Sequence, residues 1–311
     1  MLAFELLASI LAFIFGVFLL TYSSEKAVEH SVIIASAWGI SPIMIGLLLV
    51  SIGTDLPEIS NSIVSSALGH GNINVGDSIG SALTQITLVL GIIALLVREF
   101  KIDKKEIAVI GGCEILALII AVSVVEKGYI SRVNGFLLVF SWFIFMLISR
   151  TVTKKDKLKV DKPLSRKTRH FLMAFLGFIG VAVGSYIVVE SLLEMSKIFN
   201  ISEYLMSFFV ASIGTSLPEL VVDLTAIRKR EYELAIGDII GSSLVDASLS
   251  IGIGPMLFTN VISGRIAFHS GLYAILTSIL VVSALALRGK VDKKAGVFFI
   301  AIYLFSYILL Y

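Results

Sequence analysis

The chain contains one eight-residue stretch twice, and this stretch decides the fold. Residues 51–58 read Ser-Ile-Gly-Thr-Asp-Leu-Pro-Glu, and residues 212–219 read Ser-Ile-Gly-Thr-Ser-Leu-Pro-Glu. A shift of 161 residues relates the two, and the same shift places Gly-Asp-Ser-Ile-Gly-Ser (76–81) on Gly-Asp-Ile-Ile-Gly-Ser (237–242). The sequence therefore contains two copies of one structural unit.

The composition of the 311-residue chain indicates a protein embedded in lipid. Hydrophobic residues make up 57% of it and charged residues only 15%, whereas soluble proteins carry about 25% charged residues. Apolar stretches long enough to cross a hydrocarbon core of about 30 Å recur throughout. We predict an all-α integral membrane protein with ten spans, at roughly 2–22, 30–68, 73–97, 105–125, 131–149, 170–193, 202–227, 233–259, 266–287 and 295–311.

The basic residues predict the orientation of these spans. Alternate connections hold 21 of the 25 Lys and Arg residues, nine of them between Arg150 and Arg169. Because cytoplasmic loops carry the excess of Lys and Arg, we expect this side to be cytoplasmic and both termini to be extracellular, in the plasma membrane. The first span lacks a basic start and a cleavage site, so we interpret it as a helix that stays in the membrane.

The two copies are predicted to be inverted relative to each other. One transmembrane domain (1–311) comprises repeat 1 (1–150), a cytoplasmic linker (151–169) and repeat 2 (170–311). Each repeat has five spans, and because this number is odd, the copies enter the membrane from opposite sides. Inverted repeats are typical of secondary transporters, whose substrate sites lie near the middle of the bilayer.

Prolines predict a break in the second and the seventh span. Pro57 and Pro218 lack a backbone donor and clash with the preceding turn, so each helix should break at mid-membrane just before Glu58 or Glu219. We expect unwound backbone around 51–54 and 212–215, with carbonyl oxygens free to accept. Irregular backbone is tolerated at this depth only where it is buried or lines a watery cavity.

The polar side chains that could bind an ion lie in the repeated segments. Ionisable groups at membrane depth need a partner, a cavity or a bound ion, and residues at i, i+4 and i+7 share one helix face. For Asp77 and Asp238, the aspartates of the two Gly-Asp pairs, helix capping or hydrogen bonding to the broken second and seventh spans explains their position equally well. The candidate cation ligands are Ser51, Thr54, Asp55, Glu58, Asp77, Ser81, Gln85, Ser212, Thr215, Ser216, Glu219, Asp238, Ser242 and Asp246.

This set of side chains predicts the kind of ion and excludes other classes of protein. Oxygen ligands suit hard cations such as Ca2+ and Na+, and the single Cys113 and four scattered histidines argue against Zn2+ or Cu. The sequence shows no nucleophile–base pair and no phosphate-binding loop, so we expect neither an enzyme nor an organic cofactor. The expected partners are the lipid bilayer and inorganic cations, with no nucleic acid and no obligate protein partner.

The repeated motifs resemble the two alpha-repeats of the sodium/calcium exchanger family, in the cation/calcium antiporter superfamily, and most of all its short prokaryotic and archaeal members. The likeness covers the whole chain and implies exchange of Ca2+ for Na+ by alternating access, with a gate formed by the first and sixth helices. It also implies a central Ca2+ site and flanking Na+ sites. The Ca2+ site would use Glu58, Glu219, Thr54 and Thr215, and the Na+ sites Ser51, Ser81, Ser212, Ser216 and Ser242.

Several positions depart from the family pattern. Asp55 stands where the family usually has a small hydroxyl residue, and Gln85 replaces an asparagine opposite Asp246. Asp77 and Asp238 also replace asparagines.

These departures leave three functions open. The central positions hold four carboxylates, Asp55, Glu58, Glu219 and Asp246. If they are buried together, they cannot all remain ionised without bound cations. One candidate function is Ca2+/Na+ antiport, and another is antiport of a divalent cation and H+ with Asp55 as a proton-coupled carboxylate. The third is a passive cation channel.

Overall fold

The chain folds as a bundle of α-helices with four very short β-strands. The computed structural model describes residues 2–37, 51–97, 99–149, 152, 167–228, 230 and 232–310. The first half contains α1 (Leu2–Ala37), α2 (Ser51–Thr54), α3 (Leu56–Ala67), α4 (Gly71–Thr84), α5 (Leu90–Leu96), β1 (Glu99–Lys101), α6 (Lys104–Val125), β2 (Tyr129–Ile130) and α7 (Arg132–Ser149). The second half contains α8 (Lys167–Phe199), α9 (Glu203–Met206), α10 (Ser212–Thr215), α11 (Leu217–Arg228), α12 (Tyr232–Val245), α13 (Ile251–Leu257), β3 (Asn260–Val261), α14 (Gly264–Arg288), β4 (Lys290–Asp292) and α15 (Lys293–Leu310).

Within the described ranges, nine helical segments are long and apolar enough to cross a membrane. The second predicted span, 30–68, includes residues 38–50, which lie outside the described part of the chain. Large apolar side chains on the outer faces of the bundle are exposed, among them Phe18, Phe136 and Phe175. Buried positions between the helices include many hydroxyl, amide and carboxyl groups. This distribution, apolar outside and polar inside, suits lipid as the solvent.

Three predicted boundaries are wrong. α1 continues to Ala37, so the predicted first span at 2–22 is too short and residues 30–37 belong to α1 rather than to the second span. Lys26 therefore lies in a helix and not in a connection. The linker predicted at 151–169 lies mostly outside the described residues, and its last three residues begin α8. Helical hydrogen bonding continues through charged residues at the ends of these helices, where hydropathy alone places a boundary too early.

The two predicted helix breaks are present and nearly identical. The break between α2 and α3 lies at Asp55 (φ −83°, ψ 7°), and the break between α10 and α11 lies at Ser216 (φ −82°, ψ 5°). The proline two residues later has no N–H, so the carbonyl four residues before it loses its helical donor. The predicted unwinding of 51–54 and 212–215 is wrong, because both segments remain helical.

Three short π-helical turns also interrupt the helices, at Gln85–Val89, Ser207–Ala211 and Asp246–Ser250. The first and the third are related by the 161-residue shift, and they begin at the predicted site residues Gln85 and Asp246. A π-helical turn widens a helix locally and is frequently found at functional sites. The first and third turns therefore lie in the segments that the sequence repeat relates.

α1 and α8, the first helices of the two copies, pack along each other in opposite directions. Gly16 of α1 approaches Val188 of α8, whereas Ala27, further along α1, approaches Gly177, which comes earlier in α8. α1 also lies directly against both helix breaks, through Val28 at Gly53 and Phe13 at Gly214. This antiparallel pair therefore covers one side of the bundle where the broken helices lie.

The short strands also connect the two halves of the chain. The 161-residue shift maps β1 onto β3 and β2 onto β4, while β1 pairs antiparallel with β4 and β2 with β3. Each ladder therefore joins one strand from each half of the chain. The all-α prediction omitted these strands because stretches of two or three residues leave no period-2 pattern in a sequence.

Close packing holds α4 against the start of the seventh span. A Cβ atom placed on Gly80 would meet the carbonyl oxygen of Phe208 and would lie 2.9 Å from the Cα atom of Phe208. Backbone atoms move only with their helix, so even a methyl group at this position requires the two helices to separate.

We therefore predict that Gly80→Ala lowers the free energy of unfolding by about 1–3 kcal/mol, the usual cost of overpacking. The matched control is Gly112→Ala in α6, where no described atom lies within 4 Å of the added Cβ and where alanine favours the helix. Thermal unfolding of both purified variants in detergent measures the difference. Equal midpoints for the two variants would contradict the close approach at Gly80.

Candidate functional site

The two helix breaks place Glu58 and Glu219 in equivalent environments. Each glutamate lies in the first turn of the helix that follows its break. Both are only 1% exposed, and no described residue donates a hydrogen bond of standard geometry to any of their four carboxyl oxygens. A buried ionised carboxylate without a donor is among the most unfavourable groups in a protein interior. Such a pair requires a bound cation or a proton.

Further carboxyl groups converge on these glutamates. Glu219 lies within electrostatic range of Glu58, Asp55 and Asp246, and Asp246 lies within range of Glu58 and Asp55. Asp55 and Asp246 are 1% and 0% exposed, and each has an oxygen without a donor. The tertiary structure therefore gathers the four central carboxylates that the sequence singled out.

The centre of the site lies where the two copies meet. Gln85 Nε2 donates to Asp246 Oδ2 at 3.1 Å, and Ser243 Oγ donates to the carbonyl of Ala82 at 3.1 Å; each pair is separated by 161 residues. A residue can contact its own repeat mate only near the axis that relates the copies. The structure therefore brings Gln85 into contact with Asp246, the residue at the equivalent position of the second copy.

The hydroxyl residues of the second repeat lie in the same region, but their hydrogen-bond partners differ. Thr215 donates to Asp77 at 3.2 Å and lies 3.4 Å from the Ser81 hydroxyl. Ser212 lies 3.3 Å from Thr84. Ser216 lies at the second helix break, and its buried hydroxyl oxygen has no partner.

The repeat mates of these hydroxyl residues are placed similarly. Thr54 is part-buried and lies 3.5 Å from Asp55 Oδ2, and Ser242 is buried near Asp55. Ser51 begins α2, and its side chain lies outside the described part of the structure.

Asp77 and Asp238, which are repeat mates, have different surroundings. Asp77 is buried and receives a hydrogen bond on each oxygen, from Asn61 Nδ2 on Oδ2 and from Thr215 on Oδ1. Asp238 is part-exposed, and its Oδ2 atom has no donor. The geometry therefore gives Asp77 a positioning role between α3, α4 and α10, and leaves Asp238 able to bind an ion.

Two polar residues with a place near the site, Asn61 and Glu114, were missed from the sequence. Asn61 follows Glu58 by three residues, and this helical spacing could have identified it. Glu114 in α6 is fully buried and accepts from Ser278 at 2.8 Å and from Ser243 at 3.3 Å. Its signal was a lone carboxyl group in an apolar span, and it was overlooked because it has no repeat mate.

The donor set suits a hard cation. Carboxyl and hydroxyl oxygens are the ligands that Ca2+ and Na+ take. Among the described residues, no three Asp, Glu, His or Cys side chains are grouped tightly enough to form a metal shell by themselves. The first shell must therefore include hydroxyl groups, backbone carbonyl groups or water, and the glutamate side chains must close around the ion.

We predict that Ca2+ raises the unfolding midpoint of the protein, because it compensates the unpartnered carboxylates of the folded state only. At a hundredfold excess over the dissociation constant the stabilisation is about 2.7 kcal/mol. Glu219→Gln should remove most of this increase and should itself unfold at a higher temperature without Ca2+, since the amide carries no charge. Thermal unfolding in Na+-free buffer measures both effects, with the exposed Glu194→Gln as control. An undiminished response of Glu219→Gln to Ca2+ would contradict this site.

The chain is similar to known membrane proteins over nearly its whole length. The family described as "Sodium/calcium exchanger protein" matches residues 8–151 and 169–311, two segments whose starts are related by the same 161-residue shift. The inner membrane protein YrbG of Escherichia coli is 32% identical over 79% of this chain and 78% of its own length.

Two solved structures share the fold. The sodium-calcium exchanger NCX_Mj is 26% identical, with a TM-score of 0.62 over 97% of this chain and 99% of that one. The H+/Ca2+ exchanger CAX has a TM-score of 0.71 over 99% of this chain and 82% of that one, at 17% identity.

Proposed function

Because the chain belongs to the sodium/calcium exchanger family, we propose that it is a secondary active antiporter that exchanges Ca2+ for Na+ across the plasma membrane by alternating access. One observation carries this proposal. Glu58 and Glu219, at two equivalent helix breaks, present four buried carboxyl oxygens to which no described residue donates a hydrogen bond of standard geometry. Their two negative charges match the two positive charges of Ca2+, the substrate we assign to the centre of the site.

The same side chains provide the coupling between the two ions. When Ca2+ leaves, the carboxylates again lack compensation, and several Na+ ions must replace it before the site can close. Thr54 and Thr215 would complete the Ca2+ shell, and the serines Ser51, Ser81, Ser212, Ser216 and Ser242 would hold Na+ beside it. Release of one ion without uptake of the other would leave buried charge uncompensated, at a cost of several kcal/mol.

Two inverted repeats would supply the alternating access. The antiparallel packing of α1 on α8, the exchanged strand ladders and the contacts between repeat mates support two copies related by a twofold axis in the membrane plane. α1 contacts both helix breaks through Gly53 and Gly214. We propose that α1 and α8 form the gate and slide across the breaks, exposing the site to one side at a time.

Exchange of a divalent cation for H+ is the second candidate function, and Asp55 favours it. This carboxyl group lies at the break itself and is buried; Thr54 lies 3.5 Å from its Oδ2 atom, and no described residue donates to its Oδ1 atom in standard geometry. A proton on Asp55 would compensate its charge as a Na+ ion would. Ca2+ flux under an imposed Na+ gradient or an imposed pH gradient distinguishes the two functions.

We predict that Glu58→Gln and Glu219→Gln each reduce Ca2+ flux to the level of protein-free vesicles, because the glutamate pair then carries one negative charge instead of the two that match Ca2+. The measurement is isotopic Ca2+ uptake into proteoliposomes with an outward Na+ gradient, and Glu194→Gln is the control. Full uptake by Glu219→Gln would remove the basis of the proposal. Uptake that runs down the Ca2+ gradient with no dependence on Na+ or H+ would indicate a passive channel.

We predict that Asp55→Ser retains Ca2+ transport and changes its coupling. Serine restores the small hydroxyl group that is usual at this position and removes one buried charge, so any dependence of uptake on a pH gradient should fall. The ratio of Na+-driven to H+-driven uptake, measured in the same vesicles as the wild-type protein, reports the change. An unchanged ratio would exclude Asp55 from the coupling.

We also predict that the 151–169 linker is cytoplasmic. In a Cys113→Ser background, an impermeant maleimide should label Lys127→Cys on intact cells and should label Leu158→Cys only after the membrane is opened. Labelling of Leu158→Cys on intact cells would reverse the orientation proposed from the basic residues.

A further inference from the structure

Two carboxyl groups outside the central site face each other at the end of the bundle where α11 ends and α12 begins. Asp223 of α11 and Asp238 of α12 approach within hydrogen-bonding range. Ionised carboxylates accept hydrogen bonds but do not donate them, so this contact needs a positive charge between the two groups.

Within the described part of the chain, three of the four carboxyl oxygens of this pair have no hydrogen-bond donor. Asp223 is 0% exposed, and both of its carboxyl oxygens lack a hydrogen-bond donor. Asp238 Oδ2 is buried and lacks one as well.

The first repeat shows what a satisfied aspartate looks like at the same position. Asp77, the repeat mate of Asp238, receives hydrogen bonds from Asn61 and Thr215. In the second repeat, Val222 takes the place of Asn61 and lies 46% exposed. The mate of Thr215 is Thr54, and its hydroxyl contacts Asp55 instead. Asp238 therefore lacks the equivalents of the two donors of Asp77. An additional carboxyl group, that of Asp223, lies beside it instead.

The position of the pair connects it to the central site. Asp223 lies five residues before the end of α11 and Asp238 six residues after the start of α12, which is about 8–9 Å from the helix ends at 1.5 Å per residue. Asp223 lies nearer to the end of α11 than Glu219 does. The rise along the helix between these two residues is about 6 Å. Asp55 is within electrostatic range of both Asp238 and the central glutamates. The carboxyl groups thus form a row from the α11–α12 end to the centre.

We propose that Asp223 and Asp238 form a second cation-binding site, which takes a hard divalent cation such as Ca2+ at the α11–α12 end of the transport path. This inference rests on the proposed function for the role of the central site. Water and backbone carbonyl groups complete the shell, since two carboxylates supply only part of the six to eight oxygens of Ca2+. The partial exposure of Asp238 gives the ion access from the α11–α12 end. The site holds an incoming ion about 6 Å along α11 from Glu219.

The decisive variant is Asp223→Asn, because it replaces the carboxyl pair with an amide–carboxyl pair of the kind that Asn61 and Asp77 form in the first repeat. The asparagine can donate an amide hydrogen to Asp238 as Asn61 does to Asp77, so the packing of α11 on α12 is preserved while the charge that binds the ion is lost. Circular dichroism and the unfolding midpoint check that this variant folds.

The experiment measures the number of Ca2+ ions bound per chain, by equilibrium dialysis of the whole purified protein in Na+-free buffer. The wild-type protein and the exposed control Glu194→Gln should bind two, and Asp223→Asn should bind one. The double variant Glu58→Gln, Glu219→Gln should also bind one, through the remaining aspartate pair. A wild-type stoichiometry of one, or two ions still bound by Asp223→Asn, would overturn the second site.

Transport separates this inference from the proposed function. Asp223→Asn should keep Na+-driven Ca2+ uptake and should need a higher Ca2+ concentration for half-maximal uptake only when Ca2+ arrives from the α11–α12 side. Loss of the second ion with intact exchange supports both proposals. Absence of exchange in the wild-type protein would sink the proposed function, while a stoichiometry of two would still support the aspartate pair.

Discussion

The structure depends on the placement of carboxyl groups in an interior that provides no hydrogen bonds for them. Glu58 and Glu219 are buried in a bundle whose outer surface is apolar, and none of their four oxygens has a donor. In a medium of low dielectric constant two such charges repel each other strongly. The buried carboxyl pair is therefore stable only when a cation or protons compensate its charge. Whatever compensates these charges therefore also stabilises the packing of the helices around Glu58 and Glu219.

The near-symmetry of the two copies explains how the charges come together. A residue meets its own mate only at the axis, and Gln85 with Asp246 and Ala82 with Ser243 lie there. The breaks at Asp55 and Ser216 lie on either side, with almost equal backbone angles. Symmetry alone thus delivers one glutamate from each half to a common centre, without any long-range signal in the sequence.

The departures from symmetry give each half its own chemistry. Asp77 is held by two donors, and Asp238 has a second carboxyl group as its neighbour. The two residues are identical in the sequence motif, but one fixes the packing of three helices and the other stays available to an ion.

Much of the helix pattern could be predicted, and the errors have a common cause. Starts and ends from α4 to α15 agree with the predicted spans to within a few residues, because apolar length and proline act locally. α1 was predicted to end fifteen residues before Ala37, since Glu25, Lys26 and Glu29 follow the predicted end and lower the local hydropathy. Asn61 and Glu114 were missed because their partners, Asp77, Ser243 and Ser278, come from other helices.

The sequence by itself determined the membrane environment, the duplication and the two helix breaks. These follow from composition, from a shift of 161 residues that relates identical motifs, and from a proline that lacks an N–H group. Only the tertiary structure decided which carboxyl groups have donors and which do not. Hydrogen bonds to Asp77 and the contact of Asp223 with Asp238 join residues of different helices, and the distances across such helix pairs are set by packing, which no local sequence pattern records.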